Sequence, residues 1–190
     1  MLGHNQQAPV GLAPNATAPE NVPVWDLFVR VFHWSLVACV VLNQFVLEEG
    51  ETAHQWVGYA ASALVAARVL WGFVGSTHAR FSDFFPTPRS MLGHVQSMLS
   101  RRPDQHVGHN PLGAAMMLTL MALVLSLGLT GWLQTTDWFW GDETMQEIHE
   151  TLATTLIWLA GLHAASALVM GRIERVRLVR AMITGVKQRF

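Results

Sequence analysis

Cysteine, tyrosine and charge are all scarce in this sequence. Its one cysteine, Cys39, lies in an apolar run, so the chain can form no internal disulfide, no Cys-based metal site and no Cys-x-x-Cys-His haem attachment. Charged residues make up 13% of the 190 positions, about half the share of about 25% found in soluble domains. Gly-rich phosphate loops, nucleophile triads and nucleic-acid motifs are missing, and so is any repeat of solenoid period. No stretch alternates convincingly as a strand. Residues 1–23 lack the apolar core of a secretory signal peptide; polar and rich in Pro and Ala, they read as a flexible tail.

What the chain has instead is apolar length. Hydrophobic residues reach 51%, with eight tryptophans. Four stretches, Leu27–Leu47, His54–Val74, Leu112–Leu133 and Ile148–Met170, are long enough for helices to cross a bilayer core of about 30 Å. The expected fold class is an all-α membrane protein, a four-helix transmembrane bundle. It divides into a tail (1–23), a transmembrane domain (24–170) and a basic carboxyl-terminal tail (171–190).

The net charge of −1 conceals a strong asymmetry. Arg30, Arg80, Arg89, Arg101 and Arg102 flank one end of these stretches, with Arg172, Arg175, Arg177, Arg180, Lys187 and Arg189 after the fourth. The connections at the other end hold Glu48, Glu49, Glu51, Asp137, Asp142 and Glu143 and no Lys or Arg. The positive-inside rule therefore places both termini in the cytoplasm. Trp25, Trp34 and Trp71 fall at the inner interface, and Trp56, Trp132, Trp138 and Trp140 at the outer one. The basic carboxyl-terminal run is expected to orient the chain and to contact anionic lipid.

In that frame the histidines acquire depths. His149 and His163 are fourteen residues apart on one helix, about 21 Å along its axis and about 40° apart around it, so both point to one side. His33 matches His163 in depth, and His54 matches His149. Two pairs of imidazoles at two heights are the arrangement expected for two stacked haems, each iron held between His33 and His163 or between His54 and His149. The haems would be b-type, because no covalent attachment motif exists. Small or slim residues line the stripes between the ligands: Gly58, Ala61 and Val65 after His54, and Ala153, Leu156 and Ala160 after His149. Gly and Ala also permit close packing of any membrane helices. Arg68 follows His54 by fourteen residues and sits near the inner pair. A haem propionate would supply its anion; snorkelling past Trp71 to the interface is the alternative.

The segments "RVFHW" (30–34), "HQWVGY" (54–59), "ARVLWGFVG" (67–75), "GHNPLG" (108–113), "IHETL" (148–152), "GLHAA" (161–165) and "LVRAMITG" (178–185) resemble the prokaryotic cytochrome b561 family, which includes the membrane cytochrome b subunits of nickel–iron hydrogenases. The resemblance covers about residues 24–187. It implies His33 and His163 on an inner haem and His54 and His149 on an outer one. It also implies a multi-pass protein of the bacterial inner membrane that exchanges single electrons between quinone or quinol and a redox partner at the periplasmic face. That partner would be a c-type cytochrome or a dehydrogenase or hydrogenase subunit, and an electron-transfer subunit is favoured over a stand-alone enzyme.

Two other readings are weighed against this one. A quinol-linked oxidase of a small oxidant such as superoxide would need a cationic funnel to steer an anion, and the outer connections are acidic. A haem-free transporter or scaffold leaves the paired depths without a purpose. His4, His78, His94 and His106 read as solvated, and His109 as a residue of a helix-capping region. Asn43 and Gln44 could bond a haem edge, a quinone or interfacial water.

Overall fold

Asp26 starts the first long helix. Its backbone is extended (φ −68°, ψ 168°), and its carboxylate accepts a hydrogen bond from the Val29 amide at 2.8 Å, satisfying one of the orphan donors of α1 (Leu27–Phe45). The computed structural model describes residues 21–100, 110–173 and 176–188. After α1 come α2 (Thr52–Val74), a single 3₁₀ turn (Thr77–Ala79) and two short helices, α3 (Phe81–Phe84) and α4 (Pro88–Leu99). Then follow α5 (Pro111–Leu133), α6 (Glu143–Ile173) and α7 (Leu178–Thr184). Asn110 caps α5 through the Gly113 amide at 2.8 Å, with Pro111 in the first turn where its missing N–H costs nothing. Asp142 does the same for α6 through the Met145 amide at 2.7 Å.

Four of these helices, α1, α2, α5 and α6, are long and apolar enough to cross a membrane. The first three begin and end within two residues of the expected stretches. The fourth is longer than hydropathy indicates. It has 31 residues, about 46 Å at 1.5 Å per residue, which exceeds a bilayer core. The surplus lies mostly at its start, where Glu143 and Glu147 are exposed.

The surface agrees with a lipid surrounding. Val37, Val41, Leu70, Phe73, Leu125, Leu129, Trp158 and Leu162 are all exposed along the four helices, a burden that a water-soluble monomer rarely carries. Inside, the helices pack in the row α1–α2–α5–α6. One residue cluster joins all four: Phe32 from α1, Ala61 and Val65 from α2, Met121 and Val124 from α5, and Leu156 from α6. In lipid such contacts are held by close van der Waals packing, since hydrocarbon surrounds the helices in any case.

The end of the bundle that carries the chain's basic residues is laced together. Asn21–Pro23 (β1) pairs antiparallel with Val186–Gln188 (β2), in the register Asn21 with Gln188 and Pro23 with Val186. Two three-residue strands are thus present where alternation gave no sign of any. Three pairings are too few for a hydrophobic period to show, and these strands form only because the two segments meet. Residues 178–184, in the stretch read as a tail, form α7. His94, read as solvated, is instead buried within α4; this corrects that expectation, since α4 packs on α5. His4, His106 and His109 lie outside the described residues.

Candidate functional site

Each of the four candidate ligands sits on a long helix and is half-buried: His33 on α1, His54 on α2, and His149 and His163 on α6. His33 and His163 lie within electrostatic reach of each other, and so do His54 and His149. The two groupings draw on different helices, α1 with α6 and α2 with α6. Among the described residues, no three His, Cys, Asp or Glu side chains converge on a point that could hold a bare metal ion. Paired imidazoles suit a macrocycle that brings four nitrogens of its own.

The ring nitrogens are informative. His33 Nδ1 and His54 Nδ1 are buried with no protein partner, which leaves each open to water or a bound group. His149 is different. Its Nδ1 lies 2.8 Å from Thr130 Oγ1. Ser126 O lies 3.0 Å from the same hydroxyl; with the Thr130 proton given to that carbonyl, the hydroxyl oxygen is free to accept from Nδ1–H. The Nδ1–H tautomer that this arrangement accommodates has its lone pair on Nε2, the form a metal requires. Gly131 makes room beside it: a Cβ at that position would stand 3.3 Å from His149 Cε1. Thr130 and Gly131 were not singled out from the sequence. The signal available was a hydroxyl residue near the end of the apolar third stretch, at the level of His149.

Asn43 donates from Nδ2 to the His54 carbonyl at 3.2 Å, which ties the end of α1 to the start of α2 beside that histidine. This gives Asn43 a protein partner where sequence left water, haem edge and quinone open.

Arg68 is only 1% exposed. Its Nη2 donates to the Ala79 carbonyl at 3.0 Å, its guanidinium carbon stands 5.6 Å from the centroid of the Phe81 ring, and its Nη1 is buried without a protein partner. Asp26, at the start of α1, is the carboxylate whose charge reaches it. Asp26 also accepts from Trp71 Nε1 at 3.0 Å and from Ser76 Oγ. Burial pushes the Asp26 carboxyl up. The bonds from Ser76, the Val29 amide and Trp71, with the Arg68 charge, outweigh burial and hold it below the usual carboxylate range. Asp26 was also missed. Its signal was an Asp directly before an apolar helical run, where a cap belongs. Elsewhere on this face, His78 meets Asp83 at 3.1 Å and both are partly exposed.

Four helices long and apolar enough to cross a membrane, with His33 near His163 and His54 near His149, fit a class of membrane redox protein. The model of the prokaryotic cytochrome b561 family matches residues 24–185, and the chain belongs to that family. It is similar to a probable Ni/Fe-hydrogenase B-type cytochrome subunit of Rhodobacter capsulatus, with 26% identity over 87% of this chain and 80% of that protein. A protein of the same description from Bradyrhizobium diazoefficiens is 27% identical over 58% of this chain and 56% of its own length. The probable Ni/Fe-hydrogenase 1 B-type cytochrome subunit of Escherichia coli strain K12 is 24% identical over 57% of each. No solved structure gives a significant match. The chain is therefore a multi-pass membrane cytochrome of the b type, a carrier of electrons, and the group that defines such a cytochrome is haem b.

Proposed function

We propose that this chain carries single electrons across the bacterial inner membrane, between quinone or quinol and a redox partner at the periplasmic face, by holding two haem b groups at two depths. The observation that supports this reading is that His33 lies within electrostatic reach of His163, and His149 of His54, on helices that start from distant parts of the chain. Haem b held by His33 with His163, or by His54 with His149, would supply a one-electron iron couple suited to electron transfer. His33 and His163 would hold one group, and His54 and His149 the other, within residues 24–170. Thr130 sets the tautomer of His149, and Arg68 offers Nη1 to a propionate of the group near His33. The cluster of Phe32, Ala61, Val65 and Leu156 packs the three histidine-bearing helices together.

Both termini are placed in the cytoplasm by the positive-inside bias. The opposite end then faces the periplasm. Its carboxylates Glu48, Glu49, Glu51, Asp137, Asp142 and Glu143 are all exposed, a surface suited to a basic partner such as a c-type cytochrome. The hydrogenase subunits among its relatives make a hydrogenase the other candidate partner. The direct test is haem extraction with protein quantification on the purified chain. Two haems per chain are expected. A ratio of one removes the paired-ligand arrangement, and zero favours a transporter or scaffold.

A further inference from the structure

The carboxyl-terminal segment reaches back across the bundle and grips the start of α1. The Val24 and Trp25 amides both donate to the Gly185 carbonyl, at 2.8 and 3.1 Å. Arg30 Nη1 donates to Ile183 O at 2.8 Å, and Trp34 Nε1 donates to Met182 O at 3.2 Å. These three carbonyls end α7, where a helix has acceptors without intrahelical partners. Gly185 closes that helix with φ +82°, and a Cβ there would stand 2.7 Å from Trp25 O. A side chain at this position is therefore both strained and in collision with the start of α1. At its other end the segment is fastened to α6, where Val176 donates to Gly171 O at 2.9 Å.

Trp34 is the link to the site. Its ring stands nearly perpendicular to the neighbouring His33 ring, at 88°, with centroids 5.2 Å apart. An adjacent pair on a helix does not share a face, so nothing in the helix itself keeps the two rings in that relation. The tryptophan is pinned from outside, through its one N–H, by a carbonyl 148 residues further along the chain.

We infer that α7 and β2 form a positioning element for His33: the Met182 carbonyl fixes Trp34, and the Trp34 ring fixes the plane of the imidazole. Trp34 and Gly185 are positioning residues, acting through His33. The inference rests on the proposed role of His33 as an axial ligand. The same segment spans from α6, which carries His163, to α1, which carries His33, so it sets the separation of that pair as well as the orientation of one ring. The pair formed by His54 and His149 lies at the other end of the bundle and has no such tether among the described residues.

The test uses the full chain with its haems bound. Trp34→Phe keeps a ring beside His33 and loses the N–H. Gly185→Val dislodges the clasp without touching Trp34. Electron paramagnetic resonance of the oxidised protein and potentiometric titration read each haem separately. Both variants should shift the low-spin signal and midpoint potential of the haem lost in His33→Ala. They should leave the other haem unchanged, with two haems per chain retained. The double variant should shift it no further than Gly185→Val does alone, because one chain of contacts is being cut twice. If Trp34→Phe leaves that signal in place, or if both haems move equally, the inference is overturned. Retention of two haems in His33→Ala would instead overturn the ligand assignment beneath it, so the two failures are distinguishable.

Discussion

At the basic end of the bundle, residues far apart in sequence hold one another. Asp26 accepts from Trp71 and Ser76, Arg30 and Trp34 donate to α7, and β1 pairs with β2. At the acidic end the ties beside the histidines are fewer and sit on the helices that carry or adjoin them: Asn43 to the His54 carbonyl, and His149 to Thr130. Around them Glu48, Glu49, Glu51, Asp137, Trp138, Trp140 and Asp142 stand exposed. One end is built to hold its geometry from several directions, while the other presents charge outward. Such a division fits the proposed docking of a basic partner at the acidic end.

The largest expected effect separates the two ends outright. His54→Ala or His149→Ala should abolish the haem at the acidic end and leave one haem per chain, whereas His33→Ala or His163→Ala should remove the one at the basic end. Reduced-minus-oxidised spectra with haem quantification check this. If His54→Ala and His163→Ala abolish the same spectral component, the pairing is wrong.

Next in size is Thr130→Val, which deletes the acceptor of the His149 Nδ1 proton with little change of volume. Loss of such an outer hydrogen bond weakens metal affinity roughly 10- to 100-fold. Haem should therefore leave the acidic end first during titration with a haem scavenger, while the basic end is unaffected. Equal loss from both ends would show that Thr130 acts on the whole bundle.

Asp26→Ala probes the other side of the comparison. It removes a helix cap and two side-chain bonds, each worth about 1 kcal/mol, for a total of roughly 2–3 kcal/mol. Unfolding of the purified chain in detergent measures it. Since the folded Asp26 titrates below the usual carboxylate range, the unfolded chain takes up the proton first as pH falls. The contribution of Asp26 is complete above the unfolded value and is lost as pH drops through the folded one. The acid sensitivity of the wild-type chain in that window should be reduced in Asp26→Asn.

The smallest expected effect concerns the docking face. Reoxidation of the reduced chain by a basic c-type cytochrome should slow several-fold as salt rises, because the Debye length falls from about 10 Å at 0.1 M to about 3 Å at 1 M. Changing Glu48, Glu49, Glu51, Asp137, Asp142 and Glu143 to their amides should slow it at low salt. An anionic oxidant should respond in the opposite sense to both. Stopped-flow traces across a salt series distinguish a carrier from a superoxide oxidase: fast reaction with superoxide beside an inert cytochrome would end the carrier reading.

Much of this protein is legible in its sequence because the forces that shape it are local or one-dimensional. Hydrophobic length marks four helices, since an unpaired backbone group in lipid is too costly for any other form. The starts of three of them are marked by a capping side chain, Asp26, Asn110 or Asp142, a signal that hydropathy does not read. The candidate ligands stand out because an imidazole on an apolar membrane helix is expensive without a function. The early start of α6 was less visible: its first turns, Glu143 to Glu147, are polar, so hydropathy could not see them, although the cap at Asp142 could have.

What the sequence alone determined is the number of spans, the uneven charge of the two ends and the identity of the rings to be placed. Only the tertiary structure decided which groups complete them. Thr130 beside His149, Asp26 near Arg68, and the Met182 carbonyl on Trp34 join positions between 19 and 148 residues apart. No period or window spans such separations. Those contacts exist because packed helices bring distant side chains into register, where a donor meets whichever acceptor the fold has put beside it.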